Sequence, residues 1–477
     1  MKLSNKFFAA AIFFALQFCA QNTFLFAQTQ GTFGNNLTWK FSPDGTLRIS
    51  GNGPAPNSNS VSDPPWNVIK DSITKVVIEE GITTVGDYMF TSRTGHRSIN
   101  SVTIANSVTQ IGRYAFAGCS SMASVTIGSG VTEIGIFAFS ESGLTEIVIP
   151  GNVTTIGNGV FSKCTRLSSA SIGRGITVIP NAAFAESGLT SITIPEWVTN
   201  VVDLAFSRCT RLTTVYWNAE NVPDYSLIMR PFPNCEALRT VIFGDSVMKI
   251  PMHIFTSQTS LTSVTIGSSV AEIGRYAFSG CVNIREIVIP DSVQTIRTNA
   301  FDGCRGITSI KLGKGLSRIE TQAFQGTSIS ELTIPEGVAT IIGGGAFRNS
   351  PRLGTVYFNA VNCADVTGSD NIFADCPLLE TIVFGDTVRR IPGYMFQSLR
   401  GLISLTIGSR VNEIGRYAFA GCTNLEEIIN RAGRPQSLHF TVFENVDKSF
   451  CTLRVPSASL GAYRGAEVWK DFQIEGQ

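Results

Sequence analysis

The chain has 477 residues, 43% of them hydrophobic and 15% charged, a balance that excludes a disordered protein and supplies apolar surface for a long core. Its 37 basic and 36 acidic residues leave a formal charge of +1, with no block of either sign. Charge-driven binding to nucleic acid or to an anionic membrane is therefore not expected.

The first thirty residues, MKLSNKFFAAAIFFALQFCAQNTFLFAQTQ, place Lys2 and Lys6 ahead of an apolar run and a cleavage-like Ala27-Gln28. The pattern predicts an export signal over 1–27, with an uncleaved membrane anchor as the alternative because the run approaches the ~20 residues of a span. Gln17 and Phe18 stand before Cys19 where a lipid-attachment site wants small residues, which argues against lipidation. No later stretch is apolar for long enough to cross a bilayer, so no membrane insertion is expected once the signal is removed. Residues 28–71 read as an N-terminal capping region. Within it LTWKFSPDGTLRISG (37–51) predicts a hairpin turning at Pro43-Asp44-Gly45, and a loop rich in Pro, Ser and Asn then leads to Trp66.

Residues 72–445 repeat. Aligned on the phenylalanine of IGRYAF, positions Phe90, Phe116, Phe139 and onward to Phe419 and Phe443 recur almost always at steps of 22 or 23. That period belongs to solenoids with one supersecondary unit per turn. In LTSVTIGSSVAEIGRYAFSGC (261–281), Leu261, Val264 and Ile266 give an alternating strand, Val270 and Ile273 carry the apolar series around the turn, and Ala277, Phe278 and Cys281 close it. A unit this short cannot bury its own apolar side, so turns must stack and share a core. About sixteen turns at ~4.8 Å each would extend roughly 75 Å. The glycine of IGRYAF is expected to ease the bend, and Arg-Tyr to cover the outside.

Longer steps of 26 precede Phe116, Phe232 and Phe373 and mark inserted loops. The last two belong to a copied block, since RLTTVYWNAENV (211–222) matches RLGTVYFNAVNC (352–363) at an offset of 141. Beyond the repeats, 446–477 reads as a C-terminal cap in which SASLGAYRGAEVWKDF (457–472) has helical character.

Eight of the eleven cysteines, including Cys119, Cys164, Cys281 and Cys422, stand three residues after the column phenylalanine. One cysteine per turn offers no four-ligand metal cluster. The slot is filled elsewhere by Ser187, Gly326 or Ser350, which predicts a small buried packing position with free thiols. Disulfides between neighbouring turns remain the alternative, and Cys363 and Cys451 fall outside the column. His96, His253 and His439 lie six to eight units apart and cannot share a catalytic site. No nucleophile elbow, zinc-binding His-Glu pair or phosphate-binding loop is present, so neither an enzyme nor a cofactor is expected.

The surface remains. Two positions of each strand point outward, one mainly Ser, Thr or Glu, the other mainly Thr or Val with Tyr216 and Tyr357 interrupting it 141 residues apart. The bland explanation is β propensity on a solvated sheet. The sharper one treats both tyrosines as contact residues, together with Tyr225, Met229 and Arg230 in the inserted stretch 218–231. Its counterpart, 359–372, is more polar and acidic and is expected to bind something different if it binds at all.

The unit L-x-x-[VIL]-x-[IL]-[PG]-x-x-V-x-x-I-x-x-x-A-F-x-x-C resembles the repeat of BspA-like surface proteins, a branch of the leucine-rich repeat family. The N-terminal GTLRISGNG and PPW and the C-terminal LRVPSASLGAYRGAEVWKDF resemble the ends such proteins carry. The resemblance implies an α/β repeat solenoid with its parallel sheet on the concave face, an N-terminal hairpin cap and a C-terminal cap with a short helix. It also implies an exported adhesin, secreted or at the cell surface, that binds host extracellular or other microbial proteins. A structural spacer or a carbohydrate-binding surface protein is the alternative.

Overall fold

The computed structural model describes residues 29–58, 64–91, 96–341, 344–366 and 371–477, so the expected export signal lies outside the described residues. The chain forms two compact units, Met1–Ile176 and Thr177–Gln477. Among the described residues it makes about 17 turns of parallel-strand solenoid with little helix.

Most turns are built from a long strand, a two-residue short strand and an irregular arc, while among the described residues the insert-bearing turns of Thr214–Trp217 and Thr355–Phe358 have no short strand. In the first unit the long strands Lys75–Ile78, Ser101–Ile104 and Ser124–Thr126 pair in parallel, as do the short strands Gln110–Ile111, Glu133–Ile134 and Thr155–Ile156. The second unit repeats the pattern, for instance in Ser191–Ile194, Thr214–Trp217 and Thr240–Phe243. Alternation sends Ile192, Ile194, Val215 and Trp217 into the core and the intervening residues to solvent.

Every column phenylalanine from Phe90 to Phe443 is fully buried. In the first unit Phe90, Phe116, Phe139 and Phe161 stack at 5.2, 5.5 and 5.7 Å. In the second, Phe278, Phe301 and Phe324 stack at 5.3 and 5.2 Å with planes within 10°. Offset-stacked rings at this spacing add to the apolar burial of each residue.

The arc holds the turns together without forming a strand. Tyr114 N, Phe116 N and Gly118 N donate to Ile136 O, Ala138 O and Ser140 O of the next turn, while Ala115 N, Ala117 N and Cys119 N close bonds within their own turn. This alternation requires left-handed residues two before and two after the phenylalanine. In the three IGRYAF copies Tyr114, Tyr276 and Tyr417 have φ of 54°, 54° and 55°. Arg113, Arg275 and Arg416 are exposed beside half-buried tyrosines, so the pair does cover the outside. The glycine does not supply the bend, and the expectation is corrected: Gly112 has no positive φ, and a Cβ there would come within 2.6 Å of Asp87 N. It permits close approach of backbones, while the tyrosine takes a conformation costing an L-residue about 1–2 kcal/mol. Stacking of Tyr88 on Tyr114 at 5.0 Å and of Tyr394 on Tyr417 at 5.1 Å offsets part of that cost.

The long-strand sheet is interrupted at proline. Asn218, Gly244, Asn359, Gly385 and Arg431 each follow a long strand and give their N–H to the preceding turn. Pro150, Pro290 and Pro335 occupy the same position and cannot. Where they stand, Ser124–Thr126 does not pair with Glu146–Val148, Ser263–Thr265 does not pair with Glu286–Val288, and Ser309–Lys311 does not pair with Glu331–Ile334.

At the N-terminus Leu37–Phe41 and Thr46–Gly51 form the expected hairpin, with Asp44 Oδ1 accepting from Thr46 N at 3.1 Å. A further strand, Gln30–Phe33, pairs antiparallel with the first of these. Trp66, fully buried, stacks on Phe90 at 5.6 Å and closes the aromatic column. At the C-terminus Thr452–Val455 and Gln473–Gly476 extend the parallel sheet, and the helix is short, Leu460–Gly465. Trp469 packs edge-on against Phe443 and donates Nε1–H to Gln436 O at 3.0 Å.

Candidate functional site

The cysteine slot has a polar role that spacing does not reveal. Cys119, Cys164, Cys209, Cys281 and Cys304 each donate the thiol hydrogen to the column phenylalanine's carbonyl in the preceding turn, at 3.1–3.2 Å. Gln258 does the same for Phe232, and Ser142 and Ser187 contact the sulfur of Cys164 and Cys209 instead. Thr327 occupies the slot of its turn, so Gly326 is corrected: it is the left-handed residue before it, with φ 73°. All ten described cysteines are buried and free, including Cys363 and Cys451. Burial pushes the Cys164 thiol up to about 11 and that of Cys281 to about 12, so neither supplies a thiolate near neutral pH. Cys281→Ala should cost about 0.5–1.5 kcal/mol because Phe255 O loses one of its two donors and keeps only Gln258 N, and Cys281→Ser should cost less because a second donor remains. Urea denaturation of both variants checks this, and equal losses would reduce the slot to packing alone.

The histidines are held by neighbours in sequence or by the N-terminal region. His253 Nδ1 lies 3.1 Å from Thr256 Oγ1, His439 Nδ1 2.8 Å from Thr441 Oγ1, and His96 Nε2 2.8 Å from Asn67 Oδ1. No group of three or more His, Cys, Asp or Glu that could hold a metal occurs among the described residues. Nor is any described helix long and apolar enough to cross a membrane.

Tyr216 and Tyr357 sit on the outward face of the long strands, 42% and 40% exposed. Tyr216 is in register with Thr193 on one side and Ile242 on the other, and Tyr357 with Thr333 and Val383. Each therefore makes an aromatic–branched pair in a row otherwise rich in threonine, the kind of cross-strand contact that stabilises a sheet and also leaves apolar surface in water.

The first insert lies on another side of the coil, beside the short-strand sheet. Asp224 Oδ1 accepts from Met252 N at 2.8 Å, its Oδ2 pairs with Lys249 Nζ at 2.8 Å, and Tyr225 N donates to Met252 O. From Lys249 the ion pairs continue through Glu272 and Arg297 to Glu320. The second insert is tied down alike: Asp365 Oδ1 accepts from Gly393 N and pairs with Arg390, which also meets Glu413 at 2.7 Å. The two inserts thus share an anchor despite their different composition. Residues 367–370 of the second lie outside the described residues.

The five residues singled out in sequence therefore divide. Tyr216 and Tyr357 present surface. Tyr225 is only 7% exposed, in the place that Val366 takes in the second insert, and its hydroxyl is buried without a hydrogen-bond partner among the described residues. It anchors the insert and does not present its ring to solvent. Arg230 is half-buried, with Nη1 donating to Thr256 O, and its own carbonyl accepts from Leu204 N. Met229 is 56% exposed, and the two residues before it, Leu227 at 56% and Ile228 at 81%, form the most exposed apolar run of the insert. Sequence reasoning passed over both, although Leu227-Ile228-Met229 is an apolar triplet outside the repeat pattern.

A parallel-strand solenoid with one phenylalanine per turn, a buried slot residue and an outward threonine-rich sheet defines a leucine-rich repeat scaffold. The chain belongs to the BspA-type leucine-rich repeat family, whose description, "BspA type Leucine rich repeat region", matches residues 83–213, 228–354 and 367–457 in six copies. No curated protein matches it. Solved structures similar to it include a leucine-rich repeat protein from Bacteroides ovatus, 19% identical over 93% of this chain and 98% of that one, with a TM-score of 0.43. The pneumococcal vaccine antigen PcpA is 17% identical over 93% and 98%, with a TM-score of 0.34. A leucine-rich cell surface protein from Faecalibacterium prausnitzii is 21% identical over 70% and 95%, with a TM-score of 0.29.

Proposed function

We propose that this chain is an exported protein, secreted or held at the cell surface, that binds host extracellular or other microbial proteins and so mediates adhesion, with no catalytic role. The observation that carries the protein-binding reading is exposed apolar side chains on an otherwise polar, regular scaffold: Tyr216 beside Ile242 on the sheet, and Leu227, Ile228 and Met229 in the first insert. A spacer has no need of such side chains, and exposed apolar and aromatic groups set in polar surroundings mark protein interfaces. The lysine- and arginine-laced short-strand side, already paired with glutamates and aspartates, contributes stability and little free charge for steering. Export rests on the amino-terminal residues and on family membership.

The test is binding of the purified protein to a panel of extracellular-matrix proteins and glycans, repeated with Tyr216→Ser and with Leu227→Ser combined with Ile228→Ser. Protein binding that falls at least tenfold in one of these variants is the expected result. Binding to glycans alone would overturn the reading in favour of a carbohydrate-binding surface protein.

A further inference from the structure

Stacking assembles near the C-terminus a cluster of arginines that are scattered in sequence. Arg389, Arg410 and Arg431 lie in the turns that follow the successive long strands Thr381–Phe384, Ser404–Ile407 and Glu427–Asn430, and Arg434 stands three residues further on. Asn412 N donates to Arg389 O at 3.0 Å and Arg431 N to Ile407 O at 3.0 Å, so the three turns lie side by side. All four arginines are exposed, and among the described residues none of their side chains forms an ion pair or a hydrogen bond. Arg390, by contrast, is paired with both Asp365 and Glu413. Asp386 is within electrostatic reach of Arg410 and Arg431, but its Oδ1 already accepts from Ser409 N at 2.8 Å.

Between residues 409–412 and 432–437 runs a groove of about 440 Å³, lined by Ser409, Arg410, Asn412, Arg434 and Ser437, among others. That volume falls within the ~300–1,000 Å³ of ligand sites. The C-terminal cap holds one wall in place. Tyr463 OH donates to Ala432 O at 2.9 Å and to Arg434 O at 3.3 Å, and Ser459 Oγ donates to Gly433 O at 2.9 Å. Buried Gln436 donates Nε2–H to Val411 O at 2.9 Å and ties this wall to the other. The carbonyls are thus spent on the cap, while Gly433 N and Arg434 N donate to no acceptor among the described residues.

We propose that this groove binds a sulfated polysaccharide. A sulfate ester has three terminal oxygens, so one group accepts from two guanidinium forks and a backbone N–H at once, whereas a single fork occupies both oxygens of a carboxylate. Arginines on turns about 4.8 Å apart follow successive sulfates along one chain. The hydroxyls of Ser409 and Ser437 and the amide of Asn412 match the hydroxyls of a sugar. Among the described residues no aromatic side chain lines the groove, which leaves nucleic-acid bases nothing to stack on. Val411 and Ala432 are buried, so the apolar side chains of a peptide gain little there. In the first copy of the block Met248, Ser269 and Pro290 stand where Arg389, Arg410 and Arg431 do, so the cluster sets the second copy apart from the first. The site goes beyond the protein-binding reading and does not depend on it.

The probe is fluorescein-labelled heparin, titrated into the full chain and followed by anisotropy in roughly 0.1 M salt, where exposed charges more than about 10 Å apart are screened. The wild type should bind it. Arg410→Gln combined with Arg434→Gln should weaken binding at least tenfold and leave the unfolding temperature unchanged, since neither side chain is bonded within the chain. Asp386→Asn should strengthen binding by removing the opposing charge. It keeps the bond to the next turn, as Asn106 shows by accepting from Ser129 N at 2.8 Å in the same position of another turn. Arg166→Gln combined with Arg211→Gln, exposed arginines of other turns, should leave binding unchanged. A loss in that pair equal to the loss in the groove pair would tie binding to overall charge and overturn the proposal. No binding by the wild type, undiminished binding by the groove pair, no gain in Asp386→Asn, or equally tight binding of desulfated heparin, polyglutamate or a single-stranded oligonucleotide would overturn it as well.

Discussion

Phe301→Ala should remove about 3–5 kcal/mol from the stability of the turns around it. The side chain is fully buried, with Phe278 at 5.3 Å on one face and Phe324 at 5.2 Å on the other. Truncation forfeits both ring contacts and leaves a cavity that the rigid arcs cannot close, because Phe301 N is bonded to Ala323 O in the next turn and Gly303 N to Gln325 O. Solenoid turns lean on their neighbours, so the loss should spread along the stack and not stay at one position. Amide hydrogen exchange read turn by turn checks both size and spread. The control is Phe440→Ala, 71% exposed, which should change stability by less than about 0.5 kcal/mol.

The second large effect is acid loss of the N-terminal region through His96. Its ring is fully buried, edge-on to Phe90 at 5.6 Å, with Nε2–H donating to Asn67 Oδ1 at 2.8 Å. Nδ1 has no hydrogen-bond partner among the described residues, so a proton there would be a buried, unmatched charge. Burial, with a smaller contribution from the positive charge of Lys70, draws the pKa down from 6.5 to about 4. Above pH 6.5 folded and unfolded states are both neutral at this residue and its full contribution is present. As pH falls from 6.5 toward 4 the unfolded chain takes up a proton that the folded chain refuses, and stability drains away, by about 2.5 kcal/mol at pH 4.5. Exchange protection around Asn67 should accordingly fall more between pH 7.5 and pH 4.5 in the wild type than in His96→Gln. Equal falls would assign the acid sensitivity to carboxylates.

The period, the phenylalanine column and the hairpin before the first repeat are legible in the sequence because each rests on side-chain type at fixed spacing. The small buried slot is legible too, but its bond to the carbonyl of the turn before is not, since the acceptor is a backbone atom that no letter encodes. The left-handed arc residues are hidden for a related reason. Glycine usually announces such a conformation, and here Tyr114 and Tyr276 adopt it while the adjacent glycines serve close approach. Tyr225 shows the limit of reading composition as interface. An aromatic in an inserted loop is as useful for pinning the loop down as for touching a partner, and only its burial tells which. The alternative of Pro or Gly after the strand is plain in the repeat formula. Its effect on the sheet requires knowing that this one residue must donate to the preceding turn.

The slot bonds carry a consequence for how such a chain changes over generations. Each joins a turn to the one before it, as Cys235 does to Phe206 and Cys376, its copy, to Phe347. A joint of this kind is the same wherever it falls, so a gene that doubles a run of whole turns creates a seam indistinguishable from its older ones, and the lengthened product folds without further adjustment. Length then becomes a heritable trait that varies in steps of one turn. Of two sister segments, one can keep an inherited grip while the other drifts toward a new one.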